Sequence, residues 1–137
     1  MQIVETPLQV RRAIVLLWIA FALATIEALA QQALADGGDF GLGDALFAGV
    51  LVSINAASIY YAAWGKRWAR GVLLAFTLLS VVVYLAIPSA FENDPWWVTA
   101  MGVVGTSMEV VALFWLFTGA SAAWFSKNAQ AQGEKTK

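Results

Sequence analysis

The chain has 137 residues, of which 61% are hydrophobic and 12% charged, with a net charge of −1; an average soluble domain has ~45–50% apolar and ~25% charged residues. It contains no cysteine and no histidine, which excludes disulfides, thiolate nucleophiles, Cys/His zinc sites and histidine-ligated haem. No basic stripe with interleaved aromatics points to nucleic acid, and no cofactor or metal site is expected.

Residues 1–12 form a short N-terminal segment ending in Arg11 and Arg12, and residues 13–34 follow as the first predicted helix. From 13 to 26 it carries no charge and one hydroxyl, Thr25. A helix of a soluble bundle needs a polar outer stripe, and this one has none. The run is long enough to cross a hydrocarbon layer ~30 Å thick at ~1.5 Å of rise per residue. It also exceeds the ~7–15 residues of a cleavable signal core and runs into Gln31 and Gln32, so it reads as a retained span. Ala20, Ala24, Glu27 or Ala28, and Gln31 mark its packing stripe.

The loop that follows is glycine-rich and holds Asp36, Asp39 and Asp44. It lacks the lysine and glycine spacing of a P-loop and the twelfth-position glutamate of a calcium loop, so it reads as a connector. The second predicted helix, 45–64, carries Gly49 and Ser53 on a small-residue stripe, with Asn55 off that stripe. A basic connector with Lys66, Arg67 and Arg70 leads to the third, 71–87, which contains Ser80 and Tyr84. Glu92 and Asp94 lie in the next loop, between Pro88 and Pro95. The fourth predicted helix spans 96–125. Gly102, Gly105, Glu109, Ala112 and Gly119 recur along it at spacings of three and four, the mark of a close helix–helix approach in lipid. Residues 126–137 are expected to form a flexible tail.

Charge separates cleanly along this order. Arg11, Arg12, Lys66, Arg67, Arg70 and Lys127 fall on one side, and the two loops on the other side are purely acidic. Short basic loops stay cytoplasmic, so both termini are expected inside, with Arg11, Arg12, Lys66, Arg67 and Arg70 as topology determinants. Trp64, Trp68 and Trp124 flank the basic side, and Trp96 and Trp97 the acidic side, as in an aromatic belt. The halves 12–64 and 70–124 share Arg at their starts and Ala-Ala-Trp at their ends. They read either as two parallel hairpin repeats or as the common effect of charge bias and aromatic belt.

Ionisable residues within a span cost roughly 2.5–3.5 kcal/mol each by insertion scales, so they are the candidate functional groups. Helix rise puts Glu27 ~22 Å from Arg12, near the depth of Tyr84, so it is read as snorkelling to the outer interface or bonding to Tyr84. Glu109, ~18 Å from Trp97, shares a midplane layer with Asn55 and Ser80. Low dielectric disfavours a lone charged carboxyl. Glu109 is therefore read either as a neutral carboxyl donating to Asn55 or Ser80, or as a titrating group that couples transport to a proton gradient.

The segment Gly65-Lys66-Arg67-Trp68-Ala69-Arg70 resembles the Gly-x-x-Trp-Ala-Arg connector of uncharacterised four-helix bacterial inner-membrane proteins. That resemblance implies the four-helix layout and a bacterial inner membrane, and no activity. Size and an embedded glutamate give an architectural similarity to small multidrug-resistance transporters. Those carry the glutamate earlier in the first helix and have short, weakly biased loops. The expected class is a four-transmembrane-helix bundle without enzymatic activity, acting as an accessory or assembly subunit. Its partners would be the bilayer, other membrane subunits or further copies of itself. The alternative is a small proton-coupled exporter using Glu109.

Overall fold

A computed structural model describes residues 6–34, 41–87, 92 and 94–134 of the chain. Its elements are all helices: α1 (Leu8–Leu34), α2 (Leu42–Ala63), α3 (Arg67–Ala86), α4 (Trp96–Phe117) and α5 (Gly119–Glu134). The first four are each long and apolar enough to cross a membrane, and they form the ring of a four-helix bundle in the order α1, α2, α3, α4. The expectations for Asp36, Asp39 and Pro88, and for residues 135–137 of the tail, lie outside the described residues.

Four boundaries differ from those predicted. α3 starts at Arg67 and not at 71, so Arg67 and Arg70 lie on the helix and not in a connector before it. α1 starts at Leu8, directly after Pro7, whose carbonyl accepts from Arg11 N–H at 3.2 Å, so Arg11 and Arg12 sit on the helix. Proline suits that place because its fixed φ is already helical and its missing N–H has no intrahelical use. α2 begins earlier than its apolar run suggests, at Leu42. Asp44 turns its carboxylate back to accept the Gly41 N–H at 3.1 Å, which caps the start. The predicted helix 96–125 is two helices. Thr118 is extended (φ −118°, ψ 159°) and Gly119 adopts φ +58°, so α4 stops and α5 restarts at an angle. Residues 126–134 are accordingly helical.

The turn between α2 and α3 depends on Gly65. At φ +76° its N–H donates to the Ala62 carbonyl at 3.0 Å, and the Lys66 N–H to the Tyr61 carbonyl at 3.1 Å. This pair of bonds is a Schellman motif, which satisfies the last carbonyls of a helix and favours glycine. α5 returns against the same spot. A Cβ at Gly65 would lie 2.5 Å from Asn128 Nδ2 and 3.0 Å from the Trp124 ring.

Packing is uneven along the membrane axis. α1 buries residues from Val10 to Glu27, most of its length, and α4 from Val98 to Leu116, nearly all of its length. Gly105 lets the two backbones approach, its Cβ position being 3.7 Å from the Ala20 carbonyl oxygen. α2 buries only Ser58, Ile59 and Ala62, and α3 only Ala69, Arg70, Leu73 and Thr77. The apolar core therefore gathers at the basic end, around Leu17, Ile59, Leu116 and Phe125. A two-fold axis relating the hairpins would make α2–α3 the counterpart of α1–α4. The first pair meets mainly at the basic end; the second packs from end to end.

Candidate functional site

Three polar rungs cross the interface between α3 and its neighbours. Arg70 Nη1 donates to the Leu116 carbonyl at 2.8 Å. Thr77 Oγ1 lies 3.1 Å from Glu109 Oε2. The Tyr84 hydroxyl donates to Glu27 Oε1 at 2.6 Å, directly over Gly102, where a Cβ would collide with both groups. Arg70, Thr77 and Tyr84 are seven residues apart on α3, and Leu116, Glu109 and Gly102 step back by seven on antiparallel α4. Seven residues are close to two helical turns, so each trio forms one stripe and the two stripes align.

The rungs differ in chemistry. Thr77 Oγ1 is also 3.1 Å from the Leu73 carbonyl, and a hydroxyl has one proton to give. A protonated Glu109 that donates to Thr77, while Thr77 donates to Leu73, satisfies every group. Glu27 is buried, and its partner Tyr84 supplies the donor that a carboxylate requires. One turn towards the acidic end, Gln31 Nε2 donates to Asp94 Oδ2 at 2.8 Å and ties α1 to the start of α4.

At the basic end, Arg70 is only 8% exposed. Its guanidinium carbon lies 4.0 Å from the Phe125 ring centroid and 4.9 Å from that of Phe117. The break at Thr118 frees carbonyls at the end of α4, and two side chains serve them. Arg70 takes Leu116, while Gln9 Nε2 donates to Trp115 at 3.2 Å and to Thr118 at 3.5 Å. Arg70 Nε, Ser121 Oγ and Trp124 Nε1 are buried beside this break with no hydrogen-bond partner among the described residues.

Several expected groupings are not formed. Glu109 meets Thr77 and neither Asn55 nor Ser80: Ser80 bonds its own Phe76 carbonyl at 3.1 Å, and Asn55 makes no side-chain hydrogen bond among the described residues. Gly49 and Ser53 are exposed, with nothing within 4 Å of a Gly49 Cβ and with Ser53 bonded to the Gly49 carbonyl, because this part of α2 leaves the ring. Ala24 is exposed, since Glu27 and not Ala24 turns inward at that level of α1. Gly119 is a hinge and not a packing residue. Arg70 is buried beneath Phe125 of α5, and Trp124, on α5 itself, is buried against Gly65, whereas Arg11, Arg12 and Arg67 are exposed, and Lys66 half-buried, at the basic end. Ala20, Gly102, Gly105 and Ala112 are buried as helix-packing residues.

The groups that sequence reasoning passed over are Thr77, Gln9 and the Gln31–Asp94 pair. Thr77 had a readable signal in its heptad spacing from Arg70 and Tyr84. Among the described residues no cluster of three or more His, Cys, Asp or Glu can hold a metal ion. No family model, curated protein or solved structure matches the chain.

Proposed function

We propose that this protein is a non-enzymatic subunit of a membrane assembly and holds another membrane protein through α2. The observation that carries this reading is the uncovered part of α2. Every residue from 42 to 50 is exposed, Leu42 at 79% and Phe47 at 67%, and half-buried Asn55 lies just beyond with its amide unbonded among the described residues. Helices associate in lipid through close packing and interhelical hydrogen bonds, and α2 has neither along this stretch. A transmembrane helix of another polypeptide, presenting an acceptor or donor to Asn55, is the occupant that chemistry favours. The bonded states of Glu27 and Glu109 support a scaffold role for the seam.

A photo-crosslinking residue at Phe47, with the full chain in its native membrane, should yield one discrete adduct with a second polypeptide. The same residue at Val82, exposed on α3, should not. Adducts only with lipid or with another copy of this chain would remove the reading.

The same proposal has both termini on the cytoplasmic side of a bacterial inner membrane. It is supported by Arg11, Arg12 and Arg67 exposed at one end of the bundle and Asp44 at the other. A reporter active only in the periplasm, fused after Lys137, should stay silent; activity there would invert the orientation.

A further inference from the structure

A groove of about 480 Å³ runs along the membrane-facing side of the bundle at its basic end, between the start of α1 and the end of α4. It is lined by the apolar Leu8, Val15, Leu16 and Trp115 together with Arg11 and Arg12. Leu8, Arg12 and Val15 lie on successive turns of one α1 face, so a ligand following that face meets charge between two apolar turns. Gln9 donates to the Trp115 carbonyl, which ties the start of α1 to the end of α4 beside the groove. Both arginines are exposed, and neither guanidinium has an ion-pair or hydrogen-bond partner among the described residues.

These features fit one kind of molecule. A guanidinium offers a planar fork that pairs bidentately with phosphate. A tryptophan ring prefers the headgroup level, with its apolar body towards the chains. The groove between α3 and α4 around Val81 and Val103 is similarly apolar but has no charged residue in its lining, so it selects no headgroup. We propose that the α1–α4 groove is a binding site for one anionic glycerophospholipid. Its phosphate lies on Arg11 and Arg12, and an acyl chain lies along Val15, Leu16 and Trp115. This site does not rest on the assembly role of α2.

The full chain in phosphatidylcholine nanodiscs doped with phosphatidylglycerol, released and weighed by native mass spectrometry, tests it. Wild type should retain phosphatidylglycerol in preference to phosphatidylcholine. Arg11→Gln and Arg12→Gln should each cut that retention roughly fivefold. The double variant Lys66→Gln/Arg67→Gln should keep wild-type retention, because those charges lie away from the groove. Arg11 and Arg12 also bear on orientation, so Val15→Trp gives a test that leaves both in place. Val15 is exposed, and the larger ring fills the groove without entering the core, so the adduct should be lost. Soluble glycerol phosphate should leave the wild-type adduct intact. Equal retention of both lipids, an equal loss in the Lys66/Arg67 variant, an unaltered adduct in Val15→Trp, or displacement by glycerol phosphate would each overturn the proposal.

Discussion

Gly102→Ala is expected to lower the unfolding free energy by about 1–2 kcal/mol, while Gly71→Ala leaves it unchanged or slightly raised. Both glycines lie inside apolar helices, and alanine gains up to about 1 kcal/mol over glycine in a helix measured in water. They differ in surroundings. Nothing lies within 4 Å of a Cβ at Gly71, whereas a Cβ at Gly102 would collide with the Tyr84 hydroxyl and the Glu27 carboxyl. Both obstacles are side-chain ends and can move, but only by parting from each other. Their 2.6 Å bond is then lost, and a buried carboxyl is left without its donor. Hydrogen bonds between membrane helices are worth about 0.6 kcal/mol on average and up to about 1.7. A buried group left unsatisfied costs about 1–3 kcal/mol. Unfolding in mixed SDS and mild detergent measures the difference. Tyr84→Phe added to Gly102→Ala should cost little more, because both changes remove one rung. If Gly102→Ala proves as stable as Gly71→Ala, the rung does not hold α3 against α1 and α4.

The pairing of Glu27 with Tyr84 is legible in the sequence because both depths are counted along helices that start at the same basic end. Errors in the two counts are therefore shared. The layer of Glu109, Asn55 and Ser80 is counted from different ends, and depth alone says nothing of azimuth. Asn55 lies where α2 leaves the ring, which no helical period records. The four spans are legible because an apolar run of span length needs no tertiary context to be read. The break at Thr118 is hidden by the same greasiness: a Thr-Gly pair inside a long apolar run reads as packing until glycine's left-handed φ is seen. Arg70 reads as a topology marker because positive-inside reasoning counts charges and ignores what lies over them. The connector motif from Gly65 to Arg70 takes on a physical meaning once α5 is present. Gly65 admits the Trp124 ring, Ala69 is fully buried, and Arg70 closes the end of α4.

Arg70→Met should be the most damaging single change at the basic end, lowering stability by about 2–3 kcal/mol. The opposing expectation has weight, since replacing a buried charge with an apolar side chain of similar volume is often neutral or stabilising. That rule is drawn from ion pairs, where each partner's desolvation must be offset by the other. Arg70 is compensated differently. It faces the C-terminal end of α4, where unbonded carbonyls concentrate a partial negative charge of roughly half an electron. Two aromatic faces cover its guanidinium, the nearer at 4.0 Å. Methionine would leave the Leu116 carbonyl buried and unbonded, and it supplies no cation for Phe117 or Phe125. Lysine can reach the carbonyl but cannot lie flat on the rings, so Arg70→Lys should fall between Met and wild type. A double-mutant cycle with Phe125→Leu isolates the ring contact, which should couple to Arg70 by about 1–2 kcal/mol. Because the contact is buried, that coupling should persist in high salt, whereas any effect of removing exposed Arg67 should be screened away. A stable Arg70→Met protein with no coupling to Phe125 would show that the arginine is merely tolerated there, and that α5 is held to the bundle by Gly65, Trp124 and Phe125 alone.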